Sequence, residues 1–343
     1  NYLSLLTQLG ITDLETLYPE LTYIFKHVIT QEVVYGLMTF TQRKQLHRAI
    51  AEWYEKNYQE DLSPYYSRLA HHWLKGEVTE KAIYYLDRAG GQALDLYSNQ
   101  DVMHFISAAI ELDQQRQGRV KSTNNERPEE NLQQARWERM LGTAYFRIGK
   151  LPDAQRHFVS ALKLLGRPMP ETNSAVTLNL LKELLLQVSH RFSSQDQKKH
   201  SVKDRAVKEE LARIEIESVF YYAQNIALLA WGMLRRLNLA EQAGMPSLMA
   251  EGYSNLQFIA GFAGLKRIGR LYQRLTWEAV EKGNRTSTRI FALLREAVTF
   301  YINCEWERAV DEFETGIQLA DELRDTRQLE ELTASLASCL LLQ

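Results

Sequence analysis

Cysteine is nearly missing from this chain: 343 residues contain two, Cys304 and Cys339. Two are too few for a disulfide framework, and their separation carries no metal-ligand spacing. A reducing, cytoplasmic setting is therefore expected. Proline (7) and glycine (17) are also scarce, which excludes an all-β protein built on many tight turns. Charge of one sign is lacking too. A formal net charge of −2 gives no expectation of a nucleic-acid partner or a membrane surface. Apolar runs break well before the roughly 18 residues that a spanning helix needs, so no membrane segment is expected. No signal peptide is visible, and Asn1 is not an initiator methionine, so the sequence reads as a piece of something longer.

The signatures of self-sufficient chemistry are missing as well. No H-E-x-x-H or C-x-x-C occurs, and neither does a G-x-x-x-x-G-K-[ST] phosphate loop or a G-x-S-x-G elbow. Eight histidines invite a metal search, but His71 and His72 are adjacent. On a helix they diverge by about 100°, which argues against both ligating one ion. No metal site and no catalytic residue are expected, and the chain is read as non-enzymatic. Glu209-Glu210 and Asp311-Glu312 sit beside Lys and Arg in helical sequence and read as solvated faces. Residues 261–269 (GFAGLKRIG) read as a tightly packed turn between helices.

What is abundant is material for helices. Hydrophobic residues make up 45% and charged residues 24%, enough for a continuous core. Leu, Ala, Glu, Gln and Arg dominate, and these lose little on entering a helix. Residues 1–60 read as a short helix closed at Gly10, an extended stretch through Tyr23, Phe25 and His27, and helices over 28–38 and 43–58. This pattern suggests a small winged-helix-like segment. From Ser63 onward only antiparallel helix pairs are visible: Leu69, Ala70 and Trp73 share one face, Gly76 ends that helix, and Thr79 begins the next. Leu141-Gly142, Tyr145, Gly149, Ala154, Phe158 and Ala161 then fall at tetratricopeptide spacings, with Pro168 beyond. Trp137 lies one residue early for that repeat. Ala297, Phe300, Cys304, Ala309, Phe313 and Gly316 repeat the same offsets, with Cys304 standing where glycine is usual. Further pairs end near Gly244, Gly283 and Asp325. Such pairs cannot bury their faces alone and must stack.

The expected fold is thus all-α: a tetratricopeptide-like right-handed superhelix of helical hairpins after the winged-helix-like segment. The organisation expected is 1–60, helical repeats over 61–192, a polar linker at 193–204, and a second array over 205–343. Residues 113–130 read as a further linker, being polar and closed by Pro128.

One surface patch stands out. Arg136, Arg139 and Arg147 lie with Thr143 and Phe146 on one side of the best repeat's first helix. In tetratricopeptide proteins that side lines the concave groove, and three guanidinium groups there would suit an acidic peptide or a carboxylate terminus. The plainer alternative is a solvated face pairing with Glu129, Glu130 and Glu138.

The run Tyr23-Ile24-Phe25-Lys26-His27, continued by Gln31 to Tyr35, Arg43, Leu46-His47 and Ile50-Ala51, resembles a junction in a known class of proteins. It is similar to the segment that follows the ATPase core in bacterial STAND signalling ATPases, closest to the group carrying an adenylate/guanylate cyclase domain. Leu69-Ala70-His71-His72, Lys81-Ala82, Tyr85-Leu86, Ala89-Gly90, Ala108-Ala109, residues 164–168 and residues 189–191 continue the likeness, which spans most of 20–195. The resemblance implies that ATP or ADP binds the parent protein and that this chain itself holds no cofactor. It implies that the intramolecular partner is the ATPase module, and that the repeats sense a protein or peptide ligand. It further implies that His27 matches a winged-helix histidine that approaches the nucleotide phosphates; the local alternative is a histidine capping the next helix. A free-standing peptide-binding adaptor and the regulatory array of a transcriptional activator are the other readings the sequence leaves open.

Overall fold

A computed structural model describes residues 2–16, 22–119, 128–170, 172–192, 202–217 and 225–342. The fold is all-α, with sixteen α-helices and one two-stranded hairpin among the described residues. The chain divides into two compact units, residues 1–125 with 144–149, and residues 126–143 with 150–343.

In the first unit, α1 (Tyr2–Gln8) leads into β1 (Thr12–Thr16) and β2 (Thr22–Phe25), followed by α2 (Val28–Leu37) and α3 (Phe40–Asn57). The sequence suggested one strand. The structure pairs it antiparallel with a second, Thr12 opposite Phe25 and Leu14 opposite Tyr23, because an isolated strand leaves its backbone groups unbonded. Thr39 starts α3 through a reciprocal capping box with Gln42. Next come α4 (Tyr66–Lys75), α5 (Thr79–Asp95) and α6 (Asn99–Arg119). Their buried face is Leu69, Ala70, Trp73, Ala82, Leu86, Ala89, Val102 and Ile106, at the three- and four-residue spacings the sequence shows.

α7 (Pro128–Arg147) is followed by α8 (Leu151–Leu164), α9 (Asn173–Phe192), α10 (Val202–Glu217), α11 (Ile226–Ala243) and α12 (Pro246–Phe262). The last four helices are α13 (Lys266–Gly283), α14 (Thr286–Ile302), α15 (Trp306–Leu323) and α16 (Thr326–Leu342). In the second unit each of α11 to α15 packs on its successor, and the alternate helices α12, α14 and α16 also touch one another. Stacking of this kind puts one row of helices on a shared face. Small residues set the approach. A Cβ on Gly142 would lie 2.7 Å from the Phe158 ring, and one on Gly252 2.7 Å from Leu237.

One turn recurs at eight helix ends among the described residues. In α4, for example, Glu77 N–H donates to the Leu74 carbonyl and Val78 N–H to the Trp73 carbonyl. The same pair of bonds closes the chain after α1, α5, α8, α11, α12, α14 and α15. This is the Schellman arrangement, which needs a left-handed residue just past the helix. Gly10, Gly166, Gly244 and Gly264 supply it, but so do Glu77, Tyr97, Cys304 and Arg324, all at positive φ. Cys304, expected where glycine is usual, indeed sits at φ 60°. Gly76 instead stays right-handed. A Cβ there would lie 2.9 Å from Arg48 Cγ, so it permits the close approach of α3. Cys304→Gly should raise unfolding stability by about 0.5–1 kcal/mol, the left-handed strain less the extra freedom of glycine in the unfolded chain. Urea titration of the two proteins checks it.

Two linker expectations change. α6 continues through Arg119, held by Arg116 and Gln117 side chains that donate to buried Asp113. α7 already begins at Pro128. Polar composition here marks the exposed side of helix ends, leaving 120–127 outside the described residues. Of the 193–204 linker, 202–204 start α10 and the rest lies outside them. No helix among the described residues is long and apolar enough to cross a membrane.

Candidate functional site

The five residues of the expected partner face do not form one open surface. Arg136 is exposed. Arg139 is buried, its Nε 2.5 Å from Glu210 Oε1 on α10. Thr143 is buried too and donates its hydroxyl to the Arg139 carbonyl. In the first unit, Phe146 is 40% exposed. Arg147 there donates to the Leu94 carbonyl at the end of α5 at 2.7 Å and stacks 4.2 Å over the Tyr97 ring. A carbonyl in the last helical turn has no intrahelical donor, so the guanidinium serves as a cap. The three-arginine reading is therefore corrected: one guanidinium neutralises a buried carboxylate, one caps a helix, and one remains open. Glu210, read from sequence as surface, is the buried partner.

His27 is exposed at the position before α2. Its side chain makes no cap hydrogen bond; its carbonyl accepts from Thr30 and Gln31. It is free of the capping role that the sequence offered as its alternative.

A groove of about 500 Å³ does exist in the second unit, along α11, α12, α14 and α16. Arg236 in its wall is engaged by Glu251 at 2.5 Å. Arg295 is not: its Cζ lies 5.1 Å over Phe291, and its buried Nε has no hydrogen-bond partner. The buried Gln328 Oε1 on α16 likewise has none, and Arg327 beside it is exposed. An unsatisfied guanidinium N–H against an aromatic floor suits a carboxylate or a peptide carbonyl. The sequence held a usable signal. The register that aligns Gly142 with Ala297 also aligns Met140 with Arg295, so the weaker copy carried the more informative face.

A second cluster lies in the first unit. His47 on α3 and His71 and His72 on α4 each offer a ring nitrogen, all within 4.8 Å of one another. His47 Nδ1 is 2.8 Å from His72 Nδ1, and His47 Nε2 is 2.9 Å from the Tyr35 hydroxyl on α2. His47 is 8% exposed, whereas His71 is open to solvent. Burial lowers the His47 pKa, helped by His71 and Lys75. Burial pushes His72 down to about 4, with His47, His71 and Arg68 adding to it. His72 is thus neutral at pH 7, and the His47 environment favours its neutral form. Although His71 and His72 are adjacent on α4, their ring centroids lie 5.4 Å apart, and the His47 ring from α3 lies 5.7 and 5.1 Å from them.

Comparison with known proteins yields no matching family model and no matching curated protein.

Proposed function

We infer that this chain is a non-catalytic, tetratricopeptide-like sensor and scaffold region, which binds a protein or peptide partner and regulates an attached signalling ATPase linked to a nucleotide cyclase. The observation that carries the reading is the groove lined by alternate helices α12, α14 and α16, with Arg295 Nε buried and unpartnered against Phe291. Stacked helix pairs give such a surface rigidity, and an unused donor gives it a preference for acidic or C-terminal peptides. The ATPase link rests on the junction resemblance of residues 20–195. Within it, exposed His27 is the residue offered to ATP or ADP on the parent's ATPase module.

The test is a library of acidic and free-carboxylate peptides presented to the chain. Selected peptides should bind at least tenfold more weakly to Arg295→Gln, and to Arg327→Glu, with the circular dichroism unchanged; the loss of one charged hydrogen bond is worth about this much. Binding that survives both changes removes the groove from the account. A His27→Ala change in the ATPase-containing parent should weaken nucleotide binding. If the groove changes matter and His27→Ala does not, the free-standing adaptor becomes the better reading.

A further inference from the structure

We propose that His47, His71 and His72 form a transition-metal site that takes Zn(II), with a solvent-derived or anionic fourth ligand, and that the ion locks α3 against α4. Three neutral imidazoles are a known ligand set for zinc, and a fourth position left to solvent completes a tetrahedron. The distances allow it. Zn–N bonds of about 2.0–2.1 Å place tetrahedral nitrogens roughly 3.3 Å apart. The 2.8 Å contact of His47 Nδ1 with His72 Nδ1 has to open by about half an ångström, and His71, at most 4.8 Å away, has to close inward. His71 is exposed and can turn by rotamer change alone. Its side of the cluster is also the entry path for the ion.

The tautomer is set from outside the ring cluster. With the His47 proton on Nε2, that N–H donates to the Tyr35 hydroxyl, and the Nδ1 lone pair turns toward His72. Metal-bound histidines commonly have such an outer hydrogen bond on their second nitrogen. In the metal-free chain His72 Nδ1–H donates to the His47 Nδ1 lone pair; on metal binding His72 changes tautomer, its Nδ1 proton passing to solvent as Nε2 takes one up, so both rings stay neutral and no net proton is released. The charges acting on the cluster are cationic, Lys75 on His47 and Arg68 on His72. They oppose a dication and favour an anion, hydroxide or carboxylate, in the fourth position. Affinity should therefore fall below that of a thiolate-containing structural site.

The experiment is calorimetric titration of the metal-free chain with Zn(II), paired with Co(II) in place of zinc for its visible absorption. One equivalent should bind, and Co(II) should give the intense bands of four-coordinate geometry. His71→Ala touches only an exposed residue, so the fold is retained; it should abolish the bands and weaken Zn(II) at least tenfold. Tyr35→Phe, a positioning change, should weaken binding about tenfold while keeping the bands. Arg68→Gln should tighten it. No heat with Zn(II), octahedral Co(II) spectra, or one-equivalent binding that persists unchanged in His71→Ala overturns the proposal. In the last case the ion sits on other histidines.

Discussion

Glu241→Ala should cost about 3–5 kcal/mol of stability at pH 7, because it strips the common buried acceptor from a polar knot and leaves the part-buried Arg191 without its partner. Glu241 on α11 has only 2% of its side chain exposed. It accepts from Arg191 and His190, both on α9, from Gln187 at 3.2 Å, and from the Tyr253 hydroxyl at 2.6 Å. Burial alone would push the Glu241 carboxyl up. The hydrogen bonds from His190 and Tyr253 and the Arg191 charge outweigh it, holding the group below its ordinary value. The same knot raises the Tyr253 hydroxyl, first by burial and then by the Glu241 charge. A carboxyl depressed in the folded state stabilises fully above its unfolded value, near 4.5, and loses that contribution as the pH falls through the lower folded value. Urea unfolding at pH 7 and again at pH 3 should therefore show the variant converging toward the parent in acid. Glu241→Gln keeps one acceptor oxygen and should lie between the two. A cost below about 1 kcal/mol at pH 7, the range of an exposed pair, would show that water already reaches the knot.

Arg139→Ala should also cost about 3–5 kcal/mol, because Glu210 would be left buried and charged with only the exposed Arg213 guanidinium, 3.7 Å from its other oxygen, to offset it. Arg136, three residues before it on the same helix, is exposed, and Arg136→Ala should change stability by less than about 0.5 kcal/mol. The contrast separates a structural arginine from a surface one. The combination Arg139→Met with Glu210→Leu should recover most of the loss, since paired apolar replacements of a buried ion pair are often neutral. If instead Arg139→Ala is harmless while acidic-peptide binding falls, the three-arginine face regains its standing and the burial assignment is wrong.

Much of the fold was legible because helices are local. The three- and four-residue spacing of Leu69, Ala70 and Trp73, or of Ala297 and Phe300, reports one buried face whatever lies across from it. Gly142 was read as a crossing point, and Phe158 does occupy the space its missing side chain leaves. Cys304 was placed by register alone and takes the left-handed turn position. Composition misled where it stood in for exposure. The polar stretch after Asp113 continues a helix whose own side chains satisfy it, and Glu210, in an acidic pair, is inside.

The candidate sites were a different matter. His47 is separated by two dozen residues from His71 and His72, Arg139 by 71 from Glu210, and Glu241 by 50 from Arg191. No periodicity within one helix encodes which residue of another helix it will face, because that depends on crossing angle and stagger, set by packing over the whole interface. The sequence by itself determined that this protein is all-α, where its helices pair and which faces they bury, since those follow from backbone propensity and burial of local stripes. Only the tertiary structure decided which arginine is spent on a buried carboxylate, which keeps a buried N–H without a hydrogen bond in a groove, and which three imidazoles meet. These depend on distances between helices, and a charge or a lone pair acquires its role only from what is brought within about 3 Å of it.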